Sequence, residues 1–403
     1  MSTTVEDTPD LPTVRSKECL FDPPPGLYAL RDIAPITKVR IWTGDEAWLV
    51  TRYETARTIL AGRNLSNDTR RKGFPFAHPA RKAASQGARP LLSSMDDPEH
   101  AALRRFLAPE FTVRQVNSLR PSIQDLVDRL IDDMLAGPKP ADVIARFALP
   151  IPSIVIATLL GVPNEDLEFF QKESEQALST LPGAGRSRHK IYDYIADLLD
   201  KKRKDPADDL LSLLAGLWAK GELERENAIN VGHLVLVGGH ETTANMIGVG
   251  VAALLNDPDQ LAEVRDSTDH DFVENAIEEL LRYGHIAHNG IRRIATEDIE
   301  VSGQKISAGD ALIIATNICD RDPEAFEGNP DELDIHRSAR HHIAFGYGIH
   351  QCLGQQLARA ELQIAIPTLL RRIPSLALAI DFDQIAFKEG SYIFGIRELL
   401  VTW

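Results

Sequence analysis

The chain has 403 residues, of which 43% are hydrophobic and 26% charged, with a formal net charge of −15. That length can bury one large core or two smaller ones, and the acidic balance excludes a phosphate backbone as the expected partner, so no nucleic acid is anticipated. The three cysteines, Cys19, Cys319 and Cys352, are odd in number and widely spaced. That excludes a disulfide framework or a paired-cysteine zinc site and fits a reducing, cytoplasmic setting.

Residues 1–25 read as an N-terminal leader ending in Pro23-Pro24-Pro25, with neither a basic n-region nor an apolar h-region at its start. Lys38–Trp42 alternates as a strand, and Ala47–Val50 reads as its hairpin partner. Residues 62–94 are rich in Gly, Pro, Ser and Arg, a long loop of the kind that carries function. Helical periodicity then marks Val113–Leu135, Asn164–Ser179, Ile191–Arg203 and Glu224–Asn256. Breakers at Pro138, Pro140, Pro163, Pro182-Gly183, Pro206 and Pro258 separate them. Strand character returns at 299–301 and 311–315, a last long helix runs from Cys352 to Arg372, and the tail from 376 reads as β. The basic runs Arg70–Lys72 and Lys201–Lys204 are solvated faces. No stretch of 18 apolar residues occurs, so no membrane span is expected. The pattern is mainly α with small β-sheets, one domain over 26–403.

The segment Phe345-Gly346-Tyr347-Gly348-Ile349-His350-Gln351-Cys352-Leu353-Gly354 places a cysteine after two glycines and before a helical pattern. The glycines permit a tight turn. Free N–H groups at a helix start favour an anion and would lower the thiol pKa. Such a cysteine suits a soft metal ligand or a nucleophile, or is an inert buried thiol; the loop alone leaves these open.

The stretch Asn227–Asn256 holds one formal charge, Glu241, so its helix must be buried for most of its length. Beside the carboxylate stand Gly238-Gly239 and Thr242-Thr243. Each glycine weakens the helix by about 1 kcal/mol relative to alanine, and the Thr242 hydroxyl can bond the carbonyl of Gly238. A buried acid and hydroxyl at a weak point argue for function rather than helix packing alone. Glu279 and Arg282, three apart in Ala276–Tyr283, share a helix face.

Together these runs resemble the cytochromes P450. Phe345, Gly346, Gly348, His350, Cys352, Leu353, Gly354 and Ala358 stand at the characteristic positions of the family's heme-binding signature. Gly238–Thr243 resembles its oxygen-activation motif, with Gly238 where alanine is frequent. The resemblance spans about residue 20 to 403 and implies the cytochrome P450 fold and heme b (iron protoporphyrin IX), with Cys352 as the metal ligand whose electron donation favours O–O cleavage. It makes Phe345 a packing residue over the thiolate and Gly354 part of the cofactor-binding run. It assigns the propionates to His100, Arg104, Arg293 (rather than Arg292) and His350. It gives Glu279 and Arg282 a third partner, Arg337, with Leu333 where phenylalanine is usual. Glu241 becomes the proton relay and Thr242 the hydroxyl that hydrogen-bonds dioxygen.

The implied activity is a monooxygenase hydroxylating a hydrophobic small molecule with O2, supplied with electrons by a separate ferredoxin and ferredoxin reductase. The resemblance is closest to a bacterial subgroup acting on secondary metabolites, secosteroids and xenobiotics. Other chemistries on the same fold are a peroxide-driven oxygenase, a nitric oxide reductase and a non-catalytic heme sensor; Glu241-Thr242 disfavours the first two. Ferredoxin docking is expected on Arg104, Arg105 and Arg359. Apolar pocket walls are expected at Leu91, Leu92, Val235, Ala287, Ile291 and Ile393. His285 and His288 stand in or near that wall, with their role open.

Overall fold

In this computed structural model, residues 8–15, 21–86, 89–181 and 183–403 are described. The helix Arg225–Leu255 is apolar on nearly every side and therefore has to be enclosed. Pro150–Leu160, Ala184–Lys204, Leu210–Ala219, His270–Gly284 and Gln355–Arg372 pack around it. The largest core lies where it meets Val113–Leu135 and Gln355–Arg372, through Ile123, Val127, Ile131, Ile247, Val251, Ile366 and Leu369. Arg372 ties the last two helices together by donating to Asp128 at 2.7 Å and Asp132 at 2.5 Å.

The largest sheet has five strands in the order Ile36–Arg40, Glu46–Val50, Ala311–Ile314, Ile291–Ala295, Leu65–Ser66. The pairing of Glu46–Val50 with Ala311–Ile314 is parallel, and the other three are antiparallel. Three smaller sheets use the tail and short hairpins. The fold is mainly α with small β-sheets.

Several boundaries differ from the sequence reading for identifiable reasons. The first hairpin pairs Ile36–Arg40 with Glu46–Val50. The helix expected from Ile191 begins at Ala184; the polar run before Ile191 shows no apolar period, but Ala184 and Ser187 are buried by tertiary packing. The long loop of residues 62–94 contains a seven-residue helix, Pro79–Ser85, capped by His78. The last helix starts at Gln355, so Cys352 lies just before it rather than within it.

Residues 1–7 and 16–20 of the leader, with Cys19, lie outside the described residues, as does Pro182. In the described part, Arg40 N donates to Pro9 O at 2.8 Å and Leu11 N donates to Arg40 O at 2.8 Å, adding to the sheet edge. Among the described residues no helix is long and apolar enough to cross a membrane.

Candidate active site around Cys352

The helix His270–Gly284 carries two adjacent carboxylates that anchor the cysteine loop. Glu279, fully buried, accepts from Arg282 Nε and Nη2 at 2.7 Å each and from Arg337 Nε at 3.3 Å. Arg282 also donates to the carbonyls of Asp320 at 2.7 Å and Pro330 at 2.8 Å. The spacing Glu279/Arg282 and the assignment of Arg337 thus meet in one buried network. The neighbouring Glu278 was not singled out from the sequence. It accepts from Arg359 Nε at 2.6 Å and Nη2 at 2.9 Å, and lies 3.2 Å from His342 Nε2. Burial alone would raise its pKa, but the hydrogen bonds from His342 and Arg359 outweigh burial and hold it at about 2.

Between these anchors the loop turns tightly. Gly348 has φ +75°, and a Cβ there would run into the Leu60 carbonyl oxygen, so no side chain fits. Cys352 N donates to Phe345 O at 2.8 Å, and Arg104 Nη2 donates to Gln351 O at 2.7 Å. The Arg359 guanidinium sits 4.6 Å above the Phe345 ring. The amides of Gly354 and Gln355 point at the Cys352 sulfur. The expected lowering of its pKa by the helix start is overturned: burial is the larger effect and pushes the thiol up, against those amides, Arg104 and Arg359. A metal ion is the partner that would hold a buried sulfur as thiolate.

Cys352 nevertheless has an exposed side. A thiol that burial perturbs and that still has open surface faces an interior cavity. Gly238, in the middle of the buried central helix, is exposed in the same way, and a Cβ on it would meet nothing within 4 Å.

Four bases line the approach to the loop. The His100 and His350 rings lie 4.2 Å apart, and Arg293 Nη1 donates to Asn67 Oδ1 at 2.5 Å. Burial lowers all four: Arg293 to about 10, His350 to about 4, with His100 and Arg104 also below their ordinary values. Mutual repulsion adds to this, since Arg293 and His100 act on His350, and Arg104 acts on His100. Asp97 lies 3.3 Å from His100, but Arg104 and Arg293 make no ion pair among the described residues. Two guanidiniums desolvated by burial and without a carboxylate partner among the described residues, flanked by two imidazole hydrogen-bonding groups beside an accessible thiol, fit a metal macrocycle bearing two carboxylates, which is the chemistry of heme. Arg292 is directed elsewhere, donating to Pro75 O at 2.7 Å, because successive strand residues point to opposite faces.

On the central helix Thr242 Oγ1 donates to Gly238 O at 2.5 Å, the bond that its spacing suggests. Glu241 is 3% exposed, and Lys388 Nζ donates to its Oε2 at 2.9 Å, with Asn245 Nδ2 at 3.3 Å. No sequence signal marked Lys388; it is one of two cations in the tail, 147 residues from its partner.

The remaining expectations resolve by burial. His285 is a structural residue, held between Asp320 Oδ2 at 2.8 Å and Thr316 Oγ1 at 2.9 Å. His288 stacks on Phe394 at 4.3 Å, and burial drives its pKa well down. Leu92 lies in a hydrophobic core with Leu103 and Leu107, whereas Leu91, Val235, Ala287, Ile291 and Ile393 are only partly buried. Arg359 is claimed by Glu278 and Arg104 by the Gln351 carbonyl, so of the three expected docking cations Arg105 is the exposed one.

The fold and this site define a heme–thiolate type of protein, and similarity to known proteins agrees. The cytochrome P450 family model matches residues 162–374. Cytochrome P450 GfsF of Streptomyces halstedii is 46% identical over 99% of this chain and 97% of its own. The vitamin D3 dihydroxylase of Streptomyces griseolus is 41% identical over 98% and 97%. The crystal structure of GfsF covers 98% of this chain and 100% of its own at TM-score 0.93. That of mycinamicin VIII C21 methyl hydroxylase from Micromonospora griseorubida, bound to mycinamicin VIII, is 39% identical and has TM-score 0.92 over 98% and 100%. The chain belongs to the cytochrome P450 family. It is a P450 monooxygenase of the bacterial type that hydroxylates small molecules, and its cofactor is heme b.

Proposed function

We propose that the protein hydroxylates a hydrophobic small molecule, RH + O2 + two electrons + two protons giving ROH + H2O, with the electrons delivered by a separate ferredoxin and its reductase. Cys352 is the iron ligand, and His100, Arg104, Arg293 and His350 pair with the propionates. Phe345 shields the sulfur, and Gly354 supplies an amide to it. When bound, the heme activates dioxygen and transfers one oxygen atom.

The observation that carries this reading is the hydroxyl and buried acid on successive residues at the weakest turn of the central helix. Two glycines cannot hold that turn as alanine would, and Thr242 takes the freed carbonyl of Gly238. The hydroxyl is thereby oriented, able to accept a hydrogen bond from water and to pass a proton into the cavity. Glu241 is the acid–base group next to it. Its ion pair with Lys388 gives it two arrangements: held by the ammonium, or released to water beside Thr242. Each proton delivered therefore requires that pair to loosen.

Thr242→Ala is expected to leave heme loading and substrate binding within about two-fold. Oxygen consumption continues, but most reducing equivalents leave as hydrogen peroxide, a coupling loss of at least about ten-fold, against the 10²–10⁴ that a positioned proton donor contributes. Oxygen uptake, peroxide and product are measured together on more than one substrate, because a substrate hydroxyl can replace that of Thr242. Coupling equal to the wild type on every substrate would remove Thr242 from the relay.

The electron donor is proposed to dock on the face carrying the cysteine loop, where Arg105 stands exposed beside Arg104. Product should form with a ferredoxin, its reductase and reduced nicotinamide. Arg105→Ala should slow reduction about two- to five-fold at low salt, and the difference should vanish as added salt screens the charge. Turnover supported only by peroxide would instead favour the peroxide-driven reading, and no turnover with either a heme sensor.

A further inference from the structure

Away from the cysteine loop, Arg81, Arg188 and Tyr392 form a cluster whose charge oxygen insertion does not use. Arg81, on the short helix Pro79–Ser85, places its guanidinium carbon 4.9 Å from the centre of the Tyr392 ring. Its side chain makes no hydrogen bond or ion pair among the described residues, and it is exposed by area. Yet burial lowers its pKa, so like Cys352 it faces interior space. Arg188, on Ala184–Lys204, donates Nη1 to Ala177 O at 2.7 Å and has no ion pair among the described residues. Burial lowers its pKa too, and Arg81 adds to the lowering, so the two guanidiniums are close enough to repel. Both act on Tyr392, whose hydroxyl is buried without a partner among the described residues. Burial raises its pKa, so it remains a neutral donor.

The segment carrying Tyr392 is fastened to the turn that follows Leu167–Ala177, whose last carbonyl Arg188 holds, and Arg81 reaches it only through the Tyr392 ring. Tyr392 N donates to Leu178 O at 3.0 Å, Thr180 N to Gly390 O at 2.6 Å, and Asn289 Nδ2 to Tyr392 O at 2.8 Å. The field of Arg188 also reaches His233, which burial holds neutral, with a pKa of about 4. His233 precedes Thr242 on the central helix by nine residues, about 13.5 Å along the axis. The cationic end is therefore within the length of one small molecule from Thr242. Two like charges and an orphaned hydroxyl in a low-dielectric cavity are unfavourable unless an anion completes them.

We propose that Arg81, Arg188 and Tyr392 form an anion-recognition site within the substrate cavity, and that the substrate is an apolar molecule bearing one carboxylate, held by the two guanidiniums with its apolar body directed toward Thr242. The inference rests on the monooxygenase reading and names its substrate class. Two arginines converging on one point suit the fork geometry of a carboxylate, and the Tyr392 O–H supplies a third donor. Only the carboxylate end is specified by charge; the apolar body is selected by shape against the partly buried walls.

The test uses the heme-loaded full chain, with laurate, methyl laurate and 1-dodecanol as probes. Binding is read from the substrate-induced shift of the heme absorption band and independently by calorimetry. Laurate should bind at least about ten-fold more tightly than the ester or the alcohol, the size expected for charged hydrogen bonds. Arg81→Gln should lose about ten-fold for laurate and leave 1-dodecanol within two-fold. Arg188→Gln should behave alike, but because Arg188 also holds the Ala177 carbonyl, Arg81, whose side chain hydrogen-bonds no other group among the described residues, is the cleaner variant. Arg81→Lys should recover part of the laurate affinity. No binding of laurate, equal binding of all three probes, or an equal loss for all three in Arg81→Gln would overturn the proposal. The ferrous–CO spectrum of the same samples separates the two levels. A thiolate-type band with no preference for laurate sinks the substrate class alone, whereas absence of that band sinks the monooxygenase reading beneath it.

Discussion

Cys352→Ser is expected to abolish the thiolate-type ferrous–CO band completely, while Cys319→Ser keeps it. The two thiols differ in what surrounds them. Cys319 is fully buried, its Sγ is 3.8 Å from Val50 O, and burial drives its pKa well up. It has no open side from which to reach a metal, so oxygen in place of sulfur there changes packing only. Cys352 has an accessible side, two amides directed at its sulfur and two arginines in electrostatic reach. An alkoxide at that position would be far more basic than a thiolate and a harder ligand, so serine cannot replace the soft donor that iron takes from cysteine. The measurement is the ferrous–CO difference spectrum together with heme content per chain. A normal thiolate-type band in Cys352→Ser would remove Cys352 from the metal.

Glu279→Ala should give almost no folded, heme-loaded protein. Glu279 and Arg282 are both fully buried, and Arg337 is 6% exposed. Removing the carboxylate leaves two guanidiniums inside the protein with no counter-charge. Breaking a buried pair in this way costs about 3–5 kcal/mol, a large part of the roughly 5–15 kcal/mol that holds a domain together. The loss falls on the segment leading to the cysteine loop, because Asp334 N also donates to Glu279 at 3.0 Å. Heme should therefore be lost along with stability. Glu278→Ala provides the contrast. Its partner Arg359 has a side chain 17% exposed and can turn to water, so that variant should fold with a smaller loss. Heme content and urea unfolding midpoints of the two variants, measured side by side, test the difference. Full heme occupancy in Glu279→Ala would show that the buried network is not what holds the loop.

Much of the site was legible in the sequence because its chemistry is written in contiguous runs. The glycines before Cys352, the Gly238–Thr243 weak point and the i,i+3 spacing of Glu279 and Arg282 each act within a turn or two of backbone. Local geometry therefore determined them: the Thr242 bond to Gly238 is an intrahelical contact that spacing alone dictates. The same holds for the long helices, whose apolar periods gave Val113–Leu135 at its observed bounds. Where periodicity was absent, as before Ile191, the helix start was missed.

What only the tertiary structure decided is which groups far apart in the chain neutralise one another, and how deep they lie. Lys388 reaches Glu241, Glu278 takes Arg359 away from any docking face, and Asp320 and Thr316 satisfy His285. Arg81, Arg188 and Tyr392 come from three distant segments and meet without a carboxylate among the described residues. The Cys352 thiol was expected to be acidified by the nearby helix start, yet burial outweighs those amides. In each case the deciding quantity is desolvation or a long-range pairing. Both depend on the packing of the whole chain, and neither has a signature in the residues next door.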